Sequence, residues 1–202
     1  MKIEDAQNLL QKYVSSNTLQ RHSKTVAVVL KYWAKFIKDP KPEFWECVGL
    51  LHDIDFEKFP EEHCKKAAEI FENEKANFEI TDELIHAVQS HGWKICCDVE
   101  PKSTMEKVLY TIDELTGLIF ACAMARPSRS VMDLEAKSVI KKFKTPAFAA
   151  GCKREVIQNG MEMLKTEIPD LTDADIIQHC ILAMRSHAAE LGVGMIMPGL
   201  NL

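Results

Sequence analysis

Six side chains in this chain could together hold a metal ion: His22, His52, Asp53, His63, His91 and Asp113. Each falls on or beside an apolar stripe of helical period. His22 lies four and seven residues before Val26 and Val29, and His52 lies three and seven after Gly49 and Trp45. His63 precedes Ala67 and Ile70 by four and seven, and His91 follows Val88 and Leu84 by three and seven. Asp113 comes one residue after Ile112 and four after Leu109. A single inward histidine is ordinarily a hydrogen-bonded core group. An inward aspartate is different, because a carboxylate is costly to bury without a cation or strong donors. Four histidines and two aspartates facing one interior point to metal. The donors are nitrogen and oxygen only, which suits iron, manganese, zinc, nickel or cobalt without choosing among them.

The elements that must position these residues are helices. Ala6, Leu9, Leu10 and Tyr13 form one stripe, and Val26, Val29, Leu30 and Trp33 form another, with Thr18 as the expected N-cap. Pro42 opens a helix through Trp45 and Val48 to Leu51, and Pro60 one carrying Ala67, Ile70 and Phe71. Thr81 opens a helix with Leu84 and Val88. Ser103-Thr104-Met105-Glu106 reads as a capping box before a long helix through Asp113 to Phe120. The same signal recurs at Ser130–Asp133 and Thr172–Asp175. No segment alternates as a strand would. The expectation is an all-α chain, 1–202 as a single domain. Its helical core is expected at about 18–125 and a helical C-terminal extension at about 126–202, divided at Arg126-Pro127-Ser128. Bundles build metal sites from side chains projecting into such a core.

The remaining features narrow the function classes. With 202 residues, 47% apolar and 27% charged, the chain has the balance of a folded globular protein. A net charge of -5 argues against bulk nucleic-acid binding. No secretory signal is read at Met1-Lys2-Ile3-Glu4. The longest apolar run, Leu115 to Ala125, falls short of the ~20 residues that span a bilayer, so no membrane association is expected. The seven cysteines include no C-x-x-C pattern, and Cys96 and Cys97 are adjacent. They read as reduced thiols of a cytoplasmic protein, with no cluster suggesting structural zinc. His86 should face solvent, and His179 and His187 read as structural. Arg126 and Lys141 belong to a local basic cluster with Lys137, Lys142 and Lys144, and are candidates for contact with an anionic substrate. Asp55 and Glu57 could orient a water or a ligand histidine, but a solvated acidic loop beside Lys58 is the expected reading.

The order His22, then His52-Asp53 within Gly-Leu-Leu-His-Asp-Ile-Asp, then Asp113 some 60 residues on, resembles the H…HD…D signature of the HD superfamily. Leu115-Thr116-Gly117-Leu118-Ile119, Ala125-Arg126-Pro127-Ser128 and Lys141-Lys142-Phe143-Lys144 resemble a group of predicted bacterial and archaeal HD hydrolases. The resemblance implies an HD-type helical bundle in which His22, His52, Asp53 and Asp113 bind a divalent metal and His52-Asp53 form the catalytic dyad. It implies further that His63 and His91 take a second ion, with Asp53 bridging. The implied chemistry is hydrolysis of a nucleotide or another small phosphate ester by metal-activated water. Two alternatives stay open: a di-iron oxygenase of the same superfamily, and a metal-bearing binding or regulatory module without turnover. Substrate, oligomeric state and the choice of one ion or two are left undetermined.

Overall fold

A computed structural model describes residues 1–194. Among these the chain is all-α, with nine α-helices and no strand; Trp93 and Cys97 form an isolated bridge. It divides into two compact units, Met1–Tyr110 and Thr111–Leu202.

In the first unit, α1 (Ile3–Tyr13) buries Ala6, Leu9 and Leu10, the stripe expected from their spacing. The next helix, α2 (Asn17–Phe36), begins earlier than expected: its N-cap is Ser16, whose hydroxyl accepts from the Leu19 N–H, and Thr18 lies inside the first turn. Following it is α3 (Pro42–Leu51), with Pro42 pre-set at the first helical position, and it packs tightly on α2. Gly49 makes that approach possible, since a Cβ there would stand 2.6 Å from the Cα of Ala27.

Pro60 does not open the next helix. It begins a 3-10 turn, Pro60–Glu62, and α4 (Lys65–Glu74) starts only after Cys64, whose φ of 66° breaks the helical path. Buried Glu74 ties α4 to α1 by accepting from Lys12 Nζ at 2.6 Å and Tyr13 Oη at 2.7 Å. In α5 (Asp82–Ser90) the N-terminus is closed by the Thr81 hydroxyl. The capping box expected for α6 (Thr104–Met124) is present: Glu106 N–H donates to Ser103 Oγ, and Glu106 Oε2 accepts from Ser103 N–H. Glu106 also meets His86 Nδ1 at 2.7 Å. His86 is therefore a half-buried partner of a carboxylate, not the solvated side chain its spacing suggested.

Within the second unit lie the rest of α6, α7 (Ala136–Phe143), α8 (Arg154–Glu167) and α9 (Asp173–Ser186). Gly160 brings α8 against Thr111 of α6, and α7 packs on α9. The Thr172–Asp175 capping box forms as expected. The one expected at Ser130 does not. Ser130 Oγ donates to the Val193 carbonyl and accepts from Met132 N–H, and α7 starts six residues later without a side-chain cap. Arg185 on α9 holds the intervening loop through the Val131 and Leu134 carbonyls at 3.0 and 2.6 Å. No described helix is long and apolar enough to cross a membrane.

The α2–α3 contact generates a stability prediction. Gly49→Ala should destabilise the protein by about 1–3 kcal/mol, because the added methyl meets backbone, which cannot rotate away. A lower urea midpoint at unchanged slope would show it; a midpoint equal to that of the wild type would contradict the close approach.

Candidate metal centre

Each histidine of the centre is placed by the end of a helix or by a turn. His22 projects from the first turns of α2. His52 is the C-cap of α3, and Asp53 follows in the turn. His63 sits between the 3-10 turn and α4, in extended backbone and outside any helix. His91 caps the C-terminus of α5. These side chains converge within the first unit. His22 Nε2 is 3.2 Å from His52 Nε2, and the two stand 3.6 and 3.3 Å from Asp53 Oδ2. On the other side, His63 Nε2 is 3.0 Å from His91 Nε2, at 3.4 and 3.5 Å from Asp53 Oδ1. The two oxygens of one carboxylate thus face two separate histidine pairs. Two three-residue sets result, His22/His52/Asp53 and Asp53/His63/His91, each with its ligand atoms within 4.8 Å of one another.

The outer nitrogens explain why the inner ones point as they do. His52 Nδ1 lies 2.8 Å from the Gly49 carbonyl, one turn back on its own helix. His91 Nδ1 meets the Val88 carbonyl in the same way. His63 Nδ1 lies 2.7 Å from Asp55 Oδ1. A carbonyl or carboxylate only accepts, so in each case Nδ1 carries the proton and Nε2 presents a lone pair. His63 and His91 therefore aim two lone pairs at each other and at a carboxylate oxygen. Three acceptors at such distances repel unless a cation or an added proton lies among them. Two donors sharing a tetrahedral ion at ~2.1 Å stand ~3.4 Å apart, close to the spacings found here. The residues present fit a divalent metal.

Electrostatics agree. Burial by itself would raise the Asp53 carboxyl, and protonated imidazoles at His52, His91 and His22 would outweigh it and bring the group well below the usual carboxylate range; with those rings neutral, a cation supplies the same positive charge. Asp55 is fully buried, with Oδ2 accepting from Ala67 N–H at 2.8 Å while Oδ1 orients His63. The expectation of a solvated acidic loop fails for Asp55; Glu57 stays at the surface, where it accepts from Ser15 and Ser16 N–H at 2.8 and 3.0 Å and ties this turn to the start of α2. Phe56, 41% exposed, stands edge-on to the His63 ring at 5.1 Å.

Asp113 is half-buried on α6, in the second unit. Arg126 is engaged by Asp133 through both Nε and Nη2, at 3.1 and 2.9 Å, and Lys141 is exposed on α7. His179 is half-buried, and burial lowers its pKa. His187 is exposed beside Ser186. Sequence reasoning missed one feature altogether: Cys64 and Cys96 bring their sulfurs to 3.4 Å from each other beside His63. The residue types gave no motif, and Gly92 was the only local hint.

Among protein families, the HD domain matches residues 19–118, a span that contains His22, His52, Asp53, His63, His91 and Asp113. No curated protein and no solved structure matches the chain.

The buried Asp55–His63 pair generates the prediction for this site. Asp55→Asn replaces an acceptor with an amide, loosening the His63 ring and its tautomer. Metal affinity at the Asp53/His63/His91 set should fall roughly 10- to 100-fold while the His22/His52/Asp53 set keeps its ion. Calorimetric titration with Mn²⁺ separates the two; equal weakening of both sets would contradict the assignment.

Proposed function

The chain belongs to the HD superfamily, and from that premise we propose that it is a metal-dependent phosphohydrolase acting on a nucleotide or another small phosphate ester. The observation that supports this reading most is the divided carboxylate of Asp53, with Oδ2 on the His22/His52 side and Oδ1 on the His63/His91 side. That arrangement suits two divalent ions bridged by one aspartate. The HD signature assigns Asp113 as a further ligand of the first. A bound metal of this kind lowers the pKa of its water from ~15.7 toward ~7, which supplies hydroxide at neutral pH.

The chain's own groups do the rest. His52, buried and tied to Gly49, keeps its Nε2 fixed in direction, and Asp53 stays ionised across the neutral range. Asp55 holds His63 in the tautomer that leaves Nε2 available. Half-buried His22 marks the solvent-facing side of its set, the side from which a substrate can approach. For contact with the phosphate we propose Arg126, whose Asp133 partner the substrate anion would displace, and Lys141. The protein is read as cytoplasmic.

The test combines metal analysis with turnover. Protein purified without chelator should carry a divalent transition metal and hydrolyse a phosphate ester from a panel tested with Mn²⁺, Co²⁺, Ni²⁺, Fe²⁺ and Zn²⁺. His52→Ala and Asp53→Ala should each lose metal and reduce kcat/KM by roughly 100-fold or more. His63→Ala combined with His91→Ala should lower metal content from about two ions to about one. Oxygen consumed in proportion to product, or full metal loading with no hydrolysis across the panel, would overturn the hydrolase reading.

A further inference from the structure

We propose that Cys64 and Cys96, together with His63, form a binding site for a thiophilic metal ion of the Zn²⁺ class. The inference does not rest on the phosphohydrolase reading. His63, Cys64 and Cys96 offer one nitrogen and two sulfurs that all lie within 4.8 Å of one another. A borderline-soft ion takes such a mixed set readily, and its two sulfurs favour Zn²⁺ and Cd²⁺ over a harder ion such as Mn²⁺, a preference that the nitrogen and oxygen donors around Asp53 do not share.

The surrounding backbone is shaped to bring the two sulfurs together. Gly92 lies beneath them, and a Cβ at that position would stand 2.4 Å from Cys64 Sγ and 2.5 Å from Cys96 Sγ. Only a residue without a side chain leaves room for both. The loop after Gly92 folds back on it: the N–H groups of Ile95, Cys96 and Cys97 all point to the Gly92 carbonyl, at 2.9, 2.9 and 3.1 Å. This tight turn sets Cys96 over Gly92. From the other side, Cys64 is held in the left-handed region at φ 66°, which a residue with a side chain rarely adopts, and its thiol is fully buried. His63 is already oriented by Asp55, as a metal-binding imidazole requires, and with its Nδ1 proton held there its one free nitrogen serves either this set or the Asp53/His63/His91 set, one ion at a time.

Cys97 serves as a built-in contrast. Its sulfur is directed at the Gln89 carbonyl, 3.0 Å away, and it does not join the set. Cys96 and Cys97 are adjacent and both half-exposed, so they share access to solvent; the Cys97 sulfur also lies near those of Cys64 and Cys96, but it stands outside the ligand set. On binding, each of Cys64 and Cys96 releases its proton to the buffer and donates a sulfur lone pair to the ion. No electron transfer is involved.

Full-length protein, reduced and stripped of metal, is titrated with Cd²⁺ as a spectroscopic stand-in for Zn²⁺. The sulfur-to-cadmium charge-transfer absorbance should saturate at one equivalent. It should be lost in Cys64→Ser and in Cys96→Ser and persist in Cys97→Ser. It should persist also in His52→Ala, which removes a ligand of the Asp53 centre only, so failure of that centre and failure of the thiol site are distinguishable. A second measurement needs no variant. Zn²⁺ should slow alkylation of Cys96 by N-ethylmaleimide at least tenfold, read by peptide mass mapping, and leave Cys97 unchanged. An absent band at one equivalent, a band that survives loss of Cys64 and Cys96, or Cys96 alkylation indifferent to Zn²⁺ would each overturn the proposal.

Discussion

Lone pairs that face one another, with the protons that might have separated them drawn off to the outside, are the constraint around which the first unit is arranged. His52 and His91 each spend their Nδ1 proton on a carbonyl of their own helix, one turn back, and His63 spends its own on Asp55. What remains on the inside is a set of acceptors around the Asp53 carboxylate. A cation relieves that repulsion, and its binding free energy then becomes part of the folding free energy of the elements that carry the ligands. The helix ends are where they are for this purpose. α3 ends in the His52-Asp53 dyad and α5 ends in His91, so in both cases the terminal carbonyls orient the ring.

The close packing of α2 on α3 serves the same constraint. His22 is carried by one helix and His52 by the other, and Gly49 supplies both the close approach to Ala27 and the carbonyl that fixes His52. A single residue thus links interhelix distance to ring orientation. The turn from Ile54 to Cys64 does comparable work through Asp55 and Glu57, which tie it to α4 and to the start of α2.

Much of this was legible in the chain. Helical periodicity located the stripes of α1, α2, α5 and α6, and the spacing of His22, His52 and His91 against those stripes placed them inward, because side chains on a helix repeat with its period. Caps formed by Thr81, Ser103 and Thr172 were readable for the same local reason. What periodicity could not show was any residue outside a helix. By spacing His63 falls on a helix opened by Pro60, whereas it sits in extended backbone, reaching the site through a turn. Asp55 looked like part of a solvated run because its partners, His63 and the Ala67 N–H, come from further along the chain. The cysteine pair was invisible for a similar reason: Cys64 and Cys96 are 32 residues apart and meet only through the folding of the loop after α5 over Gly92. Ser130 carried the residue type of a cap, but its hydroxyl is used by a tertiary contact to Val193.

The central claim is that the nitrogens of His22 and His52 and an oxygen of Asp53 hold a divalent metal. Anomalous diffraction from crystals grown with Mn²⁺ and collected at the manganese edge tests it most directly. The account predicts a strong peak among His22 Nε2, His52 Nε2 and Asp53 Oδ2, with the His52 Nδ1 bond to Gly49 intact. A fully ordered site with no peak there, or manganese bound only at surface carboxylates, would contradict it.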